Sequence, residues 1–138
     1  MRFMVIVKAD QRTEAGILPS QAVLEQMGKY NEELARAGVL LAGEGLQASS
    51  KGARVRFEGG RRTVIDGPFT ETKELIAGFW ILQAESLADA IEWVKKAPMQ
   101  GSELEIRQVF ELEDFGPAVT PQIRERDERL RRQEEEAR

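Results

Sequence analysis

An α+β domain is predicted for this chain, built on a ferredoxin-like antiparallel sheet with helices on one face. Three observations predict it. The apolar patterns run strand, helix, strand, then a hairpin, then strand, helix, strand. The first strand and the strand before the second helix are apolar on both faces, although helices can cover only one of them. The 138 residues, 41% hydrophobic and 32% charged, suit one soluble globular domain that can bury its own core. The uncovered sheet face then needs a partner, most simply a second copy of the chain, and a twofold homodimer is expected.

Residues 2–8 open the chain with a short, β-branched, apolar run, a strand signal. Phe3, Val5 and Val7 share one face; Met4 and Ile6 share the other. Residues 10–19 read as a loop. Ser20, after Pro19, is placed to cap a helix, and Val23, Met27, Tyr30 and Leu34 fall on one helical stripe. Gly38 supplies the left-handed residue that ends it. Residues 39–46 read as the next strand, with Gly43 and Gly45 flanking Glu44; glycine inside a strand marks a bulge or a close approach.

Residues 53–58 and 61–66 alternate cleanly about Gly59-Gly60, a two-residue turn able to take positive φ. That register pairs Glu58 with Arg61, Val55 with Val64 and Ala53 with Asp66. Paired residues share a face, so Asp66 joins Ala53, Val55, Phe57 and Val64 on the apolar side. After the turn at Gly67-Pro68-Phe69, residues 70–74 are polar and residues 75–83 form a strand containing Phe79 and Trp80. Ser86 and Asp89 are spaced as a capping box; Leu87, Ala90, Ile91 and Val94 give a helical stripe that Pro98 stops. Residues 103–110 form the last strand, with Leu104, Ile106 and Phe110 on one face. The boundary is placed at 1–115 for the α+β domain, with a charged, helical extension over 116–138. In the latter, Glu125 with Arg129 and Glu128 with Arg132 have helical spacing, and Ile123, Leu130 and Ala137 are the apolar residues of the last stretch.

Composition excludes several chemistries. With no cysteine there is no disulfide, thiolate or Cys-ligated metal. With no histidine there is no Ser-His-Asp triad, histidine base or His-ligated metal. A net charge of -4 argues against a nucleic-acid partner. No apolar run reaches membrane-span length and no signal peptide is visible, so a cytoplasmic protein without a membrane partner is expected.

The tetrapeptide Asp66-Gly67-Pro68-Phe69, followed by Glu71, Lys73 and Glu74, resembles the signature of the YCII-related proteins, in the branch named after the DGPF motif. Gly43-Glu44-Gly45-Leu46, Ser50-Lys51, Arg54 and Gly78-Phe79 extend the resemblance over about residues 1–115. The resemblance implies a dimeric α/β barrel, two ferredoxin-like sheets face to face. It also implies a pocket near the DGPF turn and small-molecule chemistry by a His-Asp pair without metal or organic cofactor. This chain lacks the histidine half of that pair. Many such proteins are encoded beside extracytoplasmic-function sigma factors, which implies a regulatory setting and a sigma-factor-linked partner.

Asp66 is the first candidate catalytic residue. A carboxylate on an apolar face is desolvated, which suits a proton donor or acceptor. The alternative is that Asp66 accepts backbone N–H bonds and only fixes its turn. Glu44 is the candidate partner carboxylate, pointing into a cleft where its glycines leave room; the alternative is an edge acid in solvent. Arg54 and Lys73 are placed to orient an anionic group of a small-molecule ligand, and Phe69 and Trp80 to wall the pocket. Ser49 and Ser50 have no adjacent base in the sequence, which argues against a serine nucleophile. Two functions follow: a cofactor-independent enzyme acting on a small organic molecule through Asp66, or a non-catalytic module that senses a ligand.

Overall fold

Strand β1 (Arg2–Lys8) is central in the sheet, as its two apolar faces require; the computed structural model describes residues 1–138 throughout. Phe3 and Val5 are buried and Met4 and Ile6 half-buried, so its two faces differ in what covers them. Residues expected to loop contain one helical turn, α1 (Gln11–Glu14). Asp10 Oδ1 accepts the Thr13 N–H while Thr13 Oγ1 accepts the Asp10 N–H, at 2.8 and 2.9 Å. That reciprocal cap suffices for a single turn too short to show any apolar period. Helix α2 (Gln21–Arg36) begins where Ser20 accepts the Val23 N–H and ends at Gly38, φ 71°. Along its stripe Tyr30 and Leu34 are buried, Met27 half-buried and Val23 exposed.

Strand β2 (Leu40–Gly45) carries a bulge between Leu40 and Ala42. Strands β3 (Ala53–Glu58) and β4 (Arg61–Asp66) form a separate two-stranded ribbon in the expected register, turning on Gly59 and Gly60 at φ 50° and 83°. Strand β5 (Ile76–Gln83) precedes helix α3 (Leu87–Val94), where Ser86 accepts the Asp89 N–H. Strand β6 (Leu104–Gln108) closes the sheet. Phe110, expected on that strand, lies beyond its end and stacks on Phe115, ring centroids 4.6 Å apart.

The sheet order is β2-β5-β1-β6, every pairing antiparallel. With the ribbon set aside as an insertion, this is the ferredoxin-like arrangement. Helices α2 and α3 pack on one face, where Val5, Tyr30, Leu34, Val39, Trp80 and Leu82 form the core with Trp93 and Val94 against them. Tyr30 Oη donates to the Trp93 carbonyl at 2.8 Å, tying the two helices together. Burial first, and then the charge of Glu33, push the Tyr30 phenol up to about 12.

By cross-strand pairing, the other face carries the rows Glu44–Phe79–Ile6–Glu105 and Ala42–Ile81–Met4–Arg107. It is the face turned away from α2 and α3. On its β6 side Lys8 reaches Glu105 at 3.2 Å and Arg107 reaches it at 3.5 Å. The Lys8 hydrogen bond and charge, with Arg107 behind them, hold the Glu105 carboxyl below its ordinary range.

The chain divides into two units, Met1–Gln108 and Val109–Arg138. In the second, a kinked turn over Leu112–Ala118 leads to helix α4 (Pro121–Glu136), capped by Thr120. Its ion pair at helical spacing joins Asp127 to Arg131 at 3.1 Å, rather than the Glu125 and Glu128 pairs expected, and Arg124 reaches back to Glu113 at 3.0 Å. No helix of the chain is long and apolar enough to cross a membrane.

Candidate functional site

The Asp66-Gly67-Pro68-Phe69 turn leaves β4 and packs on the loop that precedes β3. The Gly67 N–H donates to the Gly52 carbonyl at 3.1 Å, and the Phe69 N–H donates to Ser49 Oγ at 3.0 Å. The Gly67-Pro68 peptide is cis. Gly67 is obligatory for a steric reason, since a Cβ there would stand 1.8 Å from the Ser49 carbonyl oxygen. The loop is itself anchored: the Ser49 N–H donates to Glu14 Oε1 at 3.0 Å, and the Ser49 hydroxyl donates to Glu14 Oε2.

Sequence reasoning misses Glu14, and sets Ser49 aside because no base adjoins it in the sequence. The carboxylate arrives from α1, 35 positions away. The Asp10–Thr13 cap could have signalled the helical turn, but nothing in the sequence signals the contact. The Ser49 hydroxyl is occupied at both ends, donating to Glu14 and accepting from Phe69. It therefore acts as a brace between α1 and the turn.

Because backbone carbonyl and hydroxyl groups hold the turn, Asp66 does not. No hydrogen bond or ion pair engages its carboxylate, so the turn-fixing alternative is not the arrangement found. The desolvation expected for it is also not found in the single chain: Asp66 shares the ribbon face with Val55 and Val64, but that face is open and Asp66 is exposed. The physical reason is that alternation sets which residues share a face without supplying anything to cover it.

Arg54 and Phe69 are brought together. The Arg54 guanidinium lies over the Phe69 ring, 3.8 Å from its centroid. Stacking of this kind holds the guanidinium plane while leaving edge N–H groups to meet a carboxylate. Arg54 pairs across with Ile65, so it leaves the ribbon on the face opposite Asp66. Lys73 is exposed in the turn over Thr72–Glu74 and makes no ion pair.

Glu44 and Trp80 separate. Glu44 pairs with Phe79 on the sheet face turned away from α2 and α3, exposed and unpaired. The room left by Gly43 serves the opposite face: a Cβ at Gly43 would stand 2.8 Å from Trp80 Cδ1. Gly43 therefore makes room for Trp80 rather than for Glu44. Trp80 is 6% exposed in the core beneath α2. Its indole N–H donates to Asn31 Oδ1 at 2.9 Å, and its ring meets Tyr30 edge-on at 5.6 Å. It is a core residue rather than a wall of any pocket beside Asp66, because residue 80 sits on the helix-facing phase of β5. No three carboxylates converge as a set that could hold a metal ion.

Comparison with known proteins gives one curated relative, an uncharacterised protein of Rhizobium meliloti (strain 1021), 29% identical over 75 residues. The match takes in 54% of this chain and 60% of the relative's own length. Among solved structures, the 5-chloro-2-hydroxyhydroquinone dehydrochlorinase (TftG) of Burkholderia phenoliruptrix AC1100, in complex with 2,5-dihydroxybenzoquinone, is 17% identical with a TM-score of 0.44. That likeness covers 83% of this chain and 98% of that one. The model of the YCII-related domain matches residues 1–113, the whole of the ferredoxin-like sheet with its ribbon and turn, and the chain therefore belongs to the YCII-related family.

Proposed function

We propose that this chain is a small-molecule-binding homodimer of the DGPF branch of that family, and that Asp66 exchanges a proton with a small organic ligand seated at the end of the ribbon, which Arg54 and Phe69 grip from the face opposite Asp66. The observation that carries this reading is the free carboxylate at the head of a turn whose backbone is secured by other groups. An acid kept out of its own turn's hydrogen bonds remains available to a ligand. The stacked Arg54–Phe69 pair offers that ligand a cation and an aromatic edge. Polar aromatic acids and keto-enol compounds fit both groups. The dimer is supported by the sheet face turned away from α2 and α3, which carries the apolar residues Met4, Ile6, Phe79 and Ile81.

The test begins with thermal shift against hydroxybenzoates and β-keto acids, followed by turnover assays on each hit. Asp66→Asn should abolish turnover of the converted compound while leaving its binding and the fold intact. Full activity in that variant removes Asp66 from the chemistry. Light scattering should give twice 15.5 kDa. The absence of histidine favours a second reading, a ligand sensor without turnover. A compound that stabilises the protein and is never converted selects it.

A further inference from the structure

We infer that the β3–β4 ribbon is an arm that clasps a second copy of this chain, and that the clasp covers Asp66; this rests on the homodimer proposed above. An isolated two-stranded hairpin is marginal in water, yet eleven of the twelve strand residues of this one are exposed in the single chain. One face is apolar. Val55, Phe57 and Val64 stand 50%, 68% and 64% exposed, and Arg62 lies over the Phe57 ring with Cζ 4.6 Å from its centroid. Covering such a face stabilises both the ribbon and whatever covers it.

Charge selects the occupant. The ribbon holds four arginines against Glu58 and Asp66, whereas the remainder of the chain holds sixteen basic residues against twenty-two acidic ones. Arg62 lies on the face of Val55, Phe57 and Val64, and Arg54, Arg56 and Arg61 on the other, so the arm as a whole is positive on a molecule that is negative elsewhere, and complementary to the body of another copy. A nucleic acid would meet the same arginines but would be repelled by the acidic remainder. The pairings Ala53 with Asp66 and Val55 with Val64 place Asp66 on the covered face, while Arg54 stays on the other. The site is thus incomplete in one copy, and the partner supplies the shelter that a lone chain does not.

Sedimentation equilibrium on the full chain tests this, with carbodiimide and glycine amide labelling of Asp66 read by peptide mass mapping. In Phe57→Ser/Val64→Ser, where both changes fall on exposed positions, the dimer dissociation constant should rise about a hundredfold. Asp66 labelling, slow in the dimer, should become fast. A second variant, Arg61→Glu/Arg62→Glu, makes the ribbon net negative and should weaken the dimer about tenfold at low salt. If the wild-type chain is monomeric at micromolar concentration, the homodimer itself fails and the clasp with it. If the wild type is dimeric and both variants dimerise equally well, with Asp66 labelled at the same rate, the dimer stands and the clasp is wrong. Binding of a 20-base-pair DNA duplex at 0.15 M salt that is lost in the second variant, with the dimer unchanged, would also overturn it.

Discussion

The four-stranded sheet and the two-stranded ribbon obey the same alternation and reach opposite outcomes. In β1 and β5 the alternate residues Phe3, Val5, Trp80 and Leu82 are sealed in the layer covered by α2 and α3. In β3 and β4 the alternate residues Val55, Phe57 and Val64 are as apolar, and they are open. Alternation records which side chains share a face. Whether the face is dry depends on a second layer, and the ribbon has none within its own chain. The consequence for function is direct, because Asp66 lies on the open kind of face and Trp80 on the sealed kind.

The largest expected difference between the two regions is in folding stability. Leu34 is fully buried between α2 and the sheet, so Leu34→Ala should cost about 3 kcal/mol in urea denaturation. Phe57→Ala, in dilute solution where single chains predominate, should cost under about 0.5 kcal/mol. Comparable losses at the two positions would break the contrast.

A smaller and more local effect is expected where the ribbon joins the body. Gly67→Ala drives a methyl into the Ser49 carbonyl, and the turn must shift at a cost of about 2 kcal/mol. In hydrogen exchange the Phe69 amide should lose protection while amides of β1 and β5 keep theirs. Loss of protection across the sheet would show that turn and sheet form one cooperative unit.

The smallest effect sits in the sealed layer. Tyr30→Phe removes the hydrogen bond to Trp93 and should cost about 1 kcal/mol at neutral pH. Burial, and then the charge of Glu33, push the folded phenol up to about 12 from its ordinary 10.0. Its contribution is therefore complete below pH 10 and is lost as pH rises through about 12. Stability curves of wild type and variant should converge over that window. Curves that stay parallel would mean that Tyr30 is not sealed.

Much of this architecture was legible because it depends on local pattern. The cap at Ser20, the stop at Gly38, the Gly59-Gly60 turn and the pairing of Ala53 with Asp66 all follow from near neighbours. The misses depend on distance or on the phase of a strand. Glu14 reaches Ser49 across 35 positions, and no periodicity encodes such a contact. The sequence leaves Trp80 eligible as a pocket wall because an aromatic suits either face of a strand that is apolar on both. Gly43 decides the matter only once its pairing with Trp80 is known. At the site, Asp66 and Phe69 were found through the motif, while the brace that holds them came from outside it.

The aromatic inventory has a practical corollary for spectroscopy. Both tryptophans, Trp80 and Trp93, and the lone tyrosine lie in or against the helix-covered layer; the ribbon contains neither residue type, nor does helix α4. Intrinsic emission and its quenching will therefore report melting of that layer alone, with the Trp80 indole shielded behind Asn31 and Tyr30. An extrinsic dye on a cysteine placed in the Gly59-Gly60 bend, in a chain with no competing thiol, would give the ribbon a voice of its own.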